Sequence, residues 1–230
     1  MIRCKFVKED GQSCKRKSAD KYCFQHLSDF DMNCSPSSDI ELKRNADISY
    51  LYHLIKRECI PARVFERNLI IKRVKGSMII PSDLIQLIRK SKHIVLVPVA
   101  IIIARNLKHA NILIINKRRK EYERFEPHGR ELSDIDKIVK KQFCKLLPGY
   151  RYISPSSYCV IGPQMKDKIQ HKGISDPNHG FCELWVLLYT QMRLMNIHLS
   201  RRLIVSKILE YAEVPNFMRS YITYINEYLS

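Results

Sequence analysis

The chain has 230 residues, of which 45% are hydrophobic and only 7 are glycine and 10 proline, and it carries a formal net charge of +17 from 40 Lys and Arg against 23 Asp and Glu. That is enough apolar sequence to bury a core, and it excludes a collagen-like, low-complexity or disordered chain. The positive balance gives affinity for polyanions (nucleic acid, an acidic partner or an anionic surface), beside the plainer alternative of a basic solvated exterior.

The start, Met1-Ile2-Arg3-Cys4-Lys5, lacks the apolar stretch of a secretory signal. The longest apolar run, Ile94 to Ala104, is 11 residues with Pro98 inside it, too short to span a bilayer. The sequence therefore predicts no transmembrane segment and an intracellular, not secreted, protein. In a reducing compartment the eight cysteines would be free, metal-bound or catalytic rather than disulfide-paired.

Residues 1–30 hold Cys4, Cys14, Cys23 and His26. Three thiolates and an imidazole make a tetrahedral set suited to structural Zn2+, and so short a segment needs such a staple to hold a fold. The competing reading is a loose tail with incidental cysteines. The spacing resembles a short cysteine/histidine module at the ends of several large DNA virus proteins and the plant WRC type. Residues 31–46, polar and Ser/Pro-containing, read as a linker, and 47–230 as the main domain.

In the main domain, Ile48, Leu51, Tyr52 and Ile55 fall at helical spacing and predict a helix to about Lys56. Ala62 to Val74 reads as strand. Pro81-Ser82-Asp83 starts a helix through Ile88, with Ser82 as N-cap. His93 to Ala104 is a continuous apolar strand, central in a sheet. His109 to Asn116 and Glu121 to Phe125 follow as strands joined by the basic tip Lys117-Arg118-Arg119-Lys120. The third strand alternates as if half exposed, and the short loops fit an antiparallel meander. Leu132 to Leu147 is an amphipathic helix stopped by Pro148-Gly149. Tyr150 to Ile161 reads as strand, and 165–180 as a polar stretch turning at Asp176-Pro177-Asn178. An apolar helix then runs from Cys182 to about Ile197, with two more at about 200–212 and 217–228.

Cys182 opens the most apolar helix. A helix N-terminus favours thiolate over thiol and can hold an oxyanion, although a buried free cysteine is more often inert. Glu183, next to it, would raise the thiol pKa. His109 lies at a strand start and Glu126 ends the adjacent strand 17 residues later. A hairpin of that length returns the chain beside its origin, so the carboxylate can fix the imidazole as the third member of a triad does. Gln164 carries a neutral side-chain donor suited to an oxyanion hole with the Cys182 N–H. The plain readings are an edge-strand His109, a surface Glu126 facing Arg124 or Arg130, and a loop Gln164. His128 is a rival base or a turn residue. Trp185, one turn along from Cys182, reads as a core anchor.

The order His109, Glu126, Gln164, Cys182 is similar to that of the adenoviral-protease and SUMO-protease group of cysteine peptidases, whose adenoviral members use Glu at the acid position. The segments His109-Ala110-Asn111-x-Leu113-Ile114-Ile115, Glu123-Arg124-Phe125-Glu126-Pro127-His128-Gly129 and Gly180-Phe181-Cys182-x-x-Trp185 resemble large DNA virus proteins related to that group. The resemblance covers about residues 90–200. It implies an α+β, papain-like fold with a mixed, mainly antiparallel sheet packed on a central cysteine-bearing helix. It also implies thiol-dependent cleavage of peptide or isopeptide bonds. The substrate would be a polypeptide, either a viral structural precursor or a ubiquitin-like conjugate, met in the host cytoplasm or the virion. Ala110 stands where that group often has Trp, and Phe181 and Glu183 flank the cysteine where Asp and Gly are usual. Gln164 lies 18 residues before Cys182, so the nearer Gln170 is the alternative donor. The other reading is a catalytically inactive peptidase fold serving as a basic, zinc-containing nucleic-acid- or virion-binding protein.

Overall fold

The computed structural model describes residues 2–3, 17–18, 46–104, 107–170 and 181–229. The four expected zinc ligands, Cys4, Cys14, Cys23 and His26, lie outside the described residues, as does the segment read as a linker up to residue 45. Near the start, β1 (Ile2–Arg3) and β2 (Lys17–Ser18) pair antiparallel.

The main body begins with α1 (Ala46–Arg57), β3 (Ala62–Val64), β4 (Leu69–Lys72), β5 (Ser77–Met78) and α2 (Ser82–Lys90). Three long central strands follow: β6 (Ile94–Ala104), β7 (Leu107–Asn116) and β8 (Glu121–Phe125). The chain continues through α3 (Ser133–Leu146), β9 (Arg151–Ile153), α4 (Pro163–Gln170), α5 (Cys182–Met195), α6 (Arg201–Tyr211) and α7 (Phe217–Tyr228). The sheet order is β5-β4-β6-β7-β8-β9, with β3 also on β6. Strands β6, β7 and β8 are antiparallel neighbours, whereas β3 and β4 run parallel to β6 and β9 runs parallel to β8. The architecture is a mixed α+β sandwich.

The apolar run of β6 is explained by burial on both faces. Ile94 and Leu96 join Ile112, Ile114 and Phe125 under α1, α5, α6 and α7, while Val95, Val97, Val99 and Ile101 join Leu113 and Ile115 under α2 and α3. Pro98 is tolerated because it falls between the last β3 pair (Val64↔Leu96) and the first β4 pair (Leu69↔Val99), where that ladder is already interrupted.

Several expectations change. The stretch 62–74 splits into β3 and β4. Strand β7 begins two residues before His109. Ser82 is the first helical residue rather than the cap: Pro81 holds the extended cap position, with no side-chain bond. The 150–161 strand is only β9, because Ser154 and Pro155 turn the chain into a short 3-10 helix. The polar stretch after Ile161 begins with α4. Most instructive is β8, expected half exposed and in fact buried at all five positions. Its charges are matched inside: Arg193 Nε donates to Glu123 Oε1 at 2.9 Å, and Arg201 reaches both Glu121 and Glu123.

Helix α5 is buried from Leu184 to Leu194 and lies between the sheet and α1, α6 and α7. Several of its polar groups are paired within the core, although the Trp185 indole N–H has no hydrogen-bond partner among the described residues. The hydroxyls of Tyr50 and Tyr221 donate to Gln191 Oε1 at 2.7 and 2.9 Å, and Thr190 donates to the Val186 carbonyl at 2.7 Å. Trp185 is fully buried, stacked toward Phe217. The helix is thus a fixed platform for the residue at its start. Among the described residues no helix is long and apolar enough to cross a membrane.

Candidate active site

The site is built on the far end of the β7–β8 hairpin. The bridged register runs to Ile112↔Phe125; continued outward, it sets Asn111 opposite Glu126 and His109 opposite His128. Side chains alternate across a strand, so His109, Asn111, Arg124, Glu126 and His128 share one face, and diagonal neighbours lie within reach. The imidazole Nε2 of His109 hydrogen-bonds Glu126 Oε1, and the ring stacks on His128 with centroids 4.2 Å apart.

Glu126 is fully buried, so its charge depends on its partners. Oε1 also accepts the His128 main-chain N–H at 3.0 Å, and Oε2 accepts Arg124 Nη1 at 3.0 Å. Burial alone would raise the carboxyl pKa, but His109, Arg124 and the His128 N–H together hold it below the usual range. The balance at His109 runs the other way. Burial pulls its pKa down, and the bonds to Cys182 and Glu126 override that and lift it to about 9. At neutral pH the ring is an imidazolium between a carboxylate and the cysteine.

Cys182 is the first residue of α5, after Phe181 as the cap. The Trp185 N–H donates to the Phe181 carbonyl at 2.9 Å, so the first turn is closed directly behind the cysteine. The Ala110 N–H, next to the histidine, donates to Cys182 Sγ at 3.5 Å. Since Nε2 is engaged by Glu126, Nδ1 is the nitrogen left for the sulfur. The Cys182 N–H is one of the helix-start donors with no partner inside the helix. Glu183, beside the buried cysteine, is exposed.

A second close approach brings Gln164 to this end of the sheet. Gly129 bridges Ile161, and its φ of 81° lies in the left-handed region. A Cβ on Gly162 would lie 2.0 Å from the Pro127 carbonyl oxygen, so only glycine permits the contact. The main chain after Glu126 is thereby clamped to the start of α4, where the Gln164 N–H donates to the Pro127 carbonyl at 3.1 Å. Gln164 is buried, and its Oε1 has no hydrogen-bond partner. The side chain of Gln170 is not among those described.

The structure therefore brings His109, Glu126 and Cys182 together, and ties Gln164 to the same loop by its main chain. The sequence reading placed Arg124 only as a surface partner of Glu126 and assigned Asn111 no role in the site, whereas both are buried beside the carboxylate. The signal was present as polar residues at i, i+2 on two paired strands, His109-x-Asn111 and Arg124-x-Glu126. Among the described residues, His109, Glu126 and His128 also offer ligand atoms within 4.8 Å of one another. Those of His109 and Glu126 are engaged with each other, which favours the proton network over a metal.

No protein-family model matches the chain. It is 32% identical over 124 residues to a chain of Acanthamoeba polyphaga mimivirus named "Putative ankyrin repeat protein"; the match takes in 46% of this chain and 16% of that one. The chain thus spans about a sixth of that relative's length. Among solved structures it is similar to the SUMO protease Ulp1 with its catalytic cysteine oxidised to a sulfenic acid. The identity is 14%, the TM-score 0.36, and the overlap 77% of this chain and 81% of that one.

Proposed function

We propose that the chain is a thiol-dependent peptidase. One observation carries the reading: a buried imidazole is held between a buried carboxylate and a cysteine at a helix start, with each residue supplied by a different element. In this mechanism Cys182 attacks the scissile carbonyl as thiolate. The developing oxyanion is received by the Cys182 N–H and by the side-chain amide of Gln164. His109 gives its proton to the leaving amine, and the acyl group remains on Sγ. His109 then takes a proton from water, which attacks the thioester and releases the acid while the thiolate–imidazolium pair is regenerated. Glu126 keeps Nε2 protonated and stabilises the imidazolium throughout.

The polypeptide substrate is a viral structural precursor or a ubiquitin-like conjugate, in host cytoplasm or virion. The Cys4/Cys14/Cys23/His26 module carries a structural Zn2+. The test is labelling by a peptide with an electrophilic carboxy-terminal group. Labelling should map to Cys182 and vanish in Cys182→Ala and His109→Ala. Folded wild-type protein that labels no better than Cys182→Ala would refute the reading.

A second reading rests on the opposite end of the sheet. Arg63, Lys90, Lys92 and His93 line a cleft of about 250 Å³, and the exposed Arg118, Arg119 and Lys120 follow Lys117, whose N–H donates to the His93 carbonyl at 2.8 Å. Among the described residues no acidic side chain lines that cleft. On this reading the fold binds nucleic acid through a basic edge. Binding to duplex DNA should then fall steeply with salt and be lost on reversing Lys92, Arg118 and Arg119 to Glu.

A further inference from the structure

Four hydrogen bonds from one buried guanidinium lie directly behind the candidate triad. Arg124 is fully buried. Its Nη1 donates to Glu126 Oε2 at 3.0 Å and to Asn111 Oδ1 at 2.6 Å. Its far side is anchored to the start of α3, with Nε donating to Asp136 Oδ1 at 2.9 Å and Nη2 to the Leu132 carbonyl at 3.0 Å. Asp136 is itself fixed by the hydroxyls of Tyr152 and Ser154. Asn111 in turn donates through Nδ2 to the Ala110 carbonyl at 2.7 Å, and Ala110 is the residue whose N–H meets Cys182 Sγ.

We propose that Arg124 is a positioning residue of the peptidase site, holding Glu126 against the base with one contact and the Ala110 strand segment against the nucleophile with another. The inference rests on the peptidase reading of the same site. Its physical content is a division of labour on one carboxylate. Arg124 occupies Oε2, which leaves Oε1 for His109 and the His128 N–H. A buried carboxylate without that second partner would be free to turn about its terminal bond and would lose a charge that keeps it ionised. Lysine cannot replace the fork. An ammonium is a point donor, whereas the planar guanidinium serves Glu126, Asn111, Asp136 and Leu132 from fixed directions.

The ionisable groups facing the Arg124–Glu126 pair are His109 on β7, His128 in the turn after β8, Asp136 on α3, Tyr152 on β9 and Cys159 beyond it. Of these, Tyr152 and Cys159 are pushed further from ionising by burial, Cys159 to about 12, so neither changes charge in the neutral range.

The experiment is the pH profile of Cys182 alkylation by iodoacetamide, read by peptide mass spectrometry on the full chain, with the exposed Cys59 and Cys144 as internal standards. Wild-type Cys182 should outrun Cys59 at pH 6, with an acid limb set by Glu126. In Arg124→Met the limb should move up by about 1 to 3 pH units, the shift a neighbouring charge gives. Arg124→Lys keeps the charge, so its limb should stay near wild type. Its plateau should fall by about 10- to 100-fold as the carboxylate loses its fixed direction. If folded Arg124→Met superimposes on wild type, or Arg124→Lys keeps the wild-type plateau, the inference is overturned while the peptidase reading stands. If Arg124→Met does not fold, Arg124→Lys decides alone. A wild-type Cys182 no faster than Cys59 at pH 6, by contrast, overturns the peptidase reading and the inference with it.

Discussion

Replacing Glu126 by Gln is the sharpest perturbation of the site, because the change is nearly isosteric and the surroundings are entirely donors. Oε1 receives His109 Nε2–H and the His128 N–H, and Oε2 receives Arg124 Nη1. A glutamine must turn its NH2 toward one of them. Arg124 and the His128 N–H cannot accept, so the amide can be satisfied only by donating to a deprotonated Nε2 of His109. That moves the histidine proton to Nδ1, the nitrogen facing Cys182, and the ring can no longer act as base toward the thiol. The charge effect adds to this. With His109 at about 9, some nine-tenths of the rings are imidazolium at pH 8; at the ordinary 6.5 about 3% are, roughly a thirty-fold loss. Wrong-tautomer trapping of this kind costs up to about 10⁴ in rate in serine peptidases, so peptidase turnover at pH 8 should fall by between about 30-fold and 10⁴-fold, whereas Cys182 alkylation should fall only as far as its thiolate fraction does. The apparent His109 pKa, a property of the coupled His109–Cys182 pair, can be read from its imidazole Cε1 shift by NMR and should drop toward 6.5. Stability follows in sign. A raised histidine pKa stabilises fully below about 6.5, and that contribution is lost as pH rises through about 9. Wild type should therefore carry up to about 3 kcal/mol below pH 6.5 that fades by pH 9, and Glu126→Gln should lack that slope. An unchanged His109 titration in Glu126→Gln would refute the reasoning, whatever the effect on rate.

Three further outcomes are expected. Gly162→Ala would put a methyl 2.0 Å from the Pro127 carbonyl oxygen, so it should cost about 2 kcal/mol or more in urea unfolding and slow Cys182 labelling by displacing Gln164. Trp185→Ala, at a fully buried position under the cysteine, should cost about 3–5 kcal/mol, whereas the same measurement on the exposed Val74→Ala should stay within about 0.5 kcal/mol. The purified full chain should hold one Zn2+ per molecule by elemental analysis and lose it in Cys14→Ser; equal metal content in the two proteins would remove the module.

The meeting of His109 and Glu126 was legible because it is local. A hairpin with a short tip returns its second strand to the start of its first, so spacing alone brings the two ends together. Cys182 was legible from apolar periodicity, which marks the most buried helix and the residue that opens it. What was not legible depends on contacts far apart in sequence. Helix α4 has only Met165 and Ile169 at helical spacing, and it is held by the packing of Gly162 on Pro127, which no local pattern announces. Strand β8 was misread because charge normally marks solvent. Here each charged residue meets a partner supplied from outside its own hairpin: Asp136 on α3 for Arg124, and Arg193 and Arg201 on α5 and α6 for the glutamates.

Those buried charges tie the fold to the chemistry. A buried ion pair adds little net stability, but leaving one partner unpaired is costly. Moving β8 by one residue against β7 would send every side chain to the opposite face. Arg124 and Glu126 would then face the apolar side packed on α5, away from Asn111 and Asp136, and Phe125 would leave its stack on Tyr189. Each misplaced charge would cost a few kcal/mol, so the wrong register is penalised several times over. The residues that enforce this register are the ones that set Glu126 diagonal to His109. In this chain the placement of the carboxylate that orients the histidine follows from the same contacts that make β8 pair in one way only.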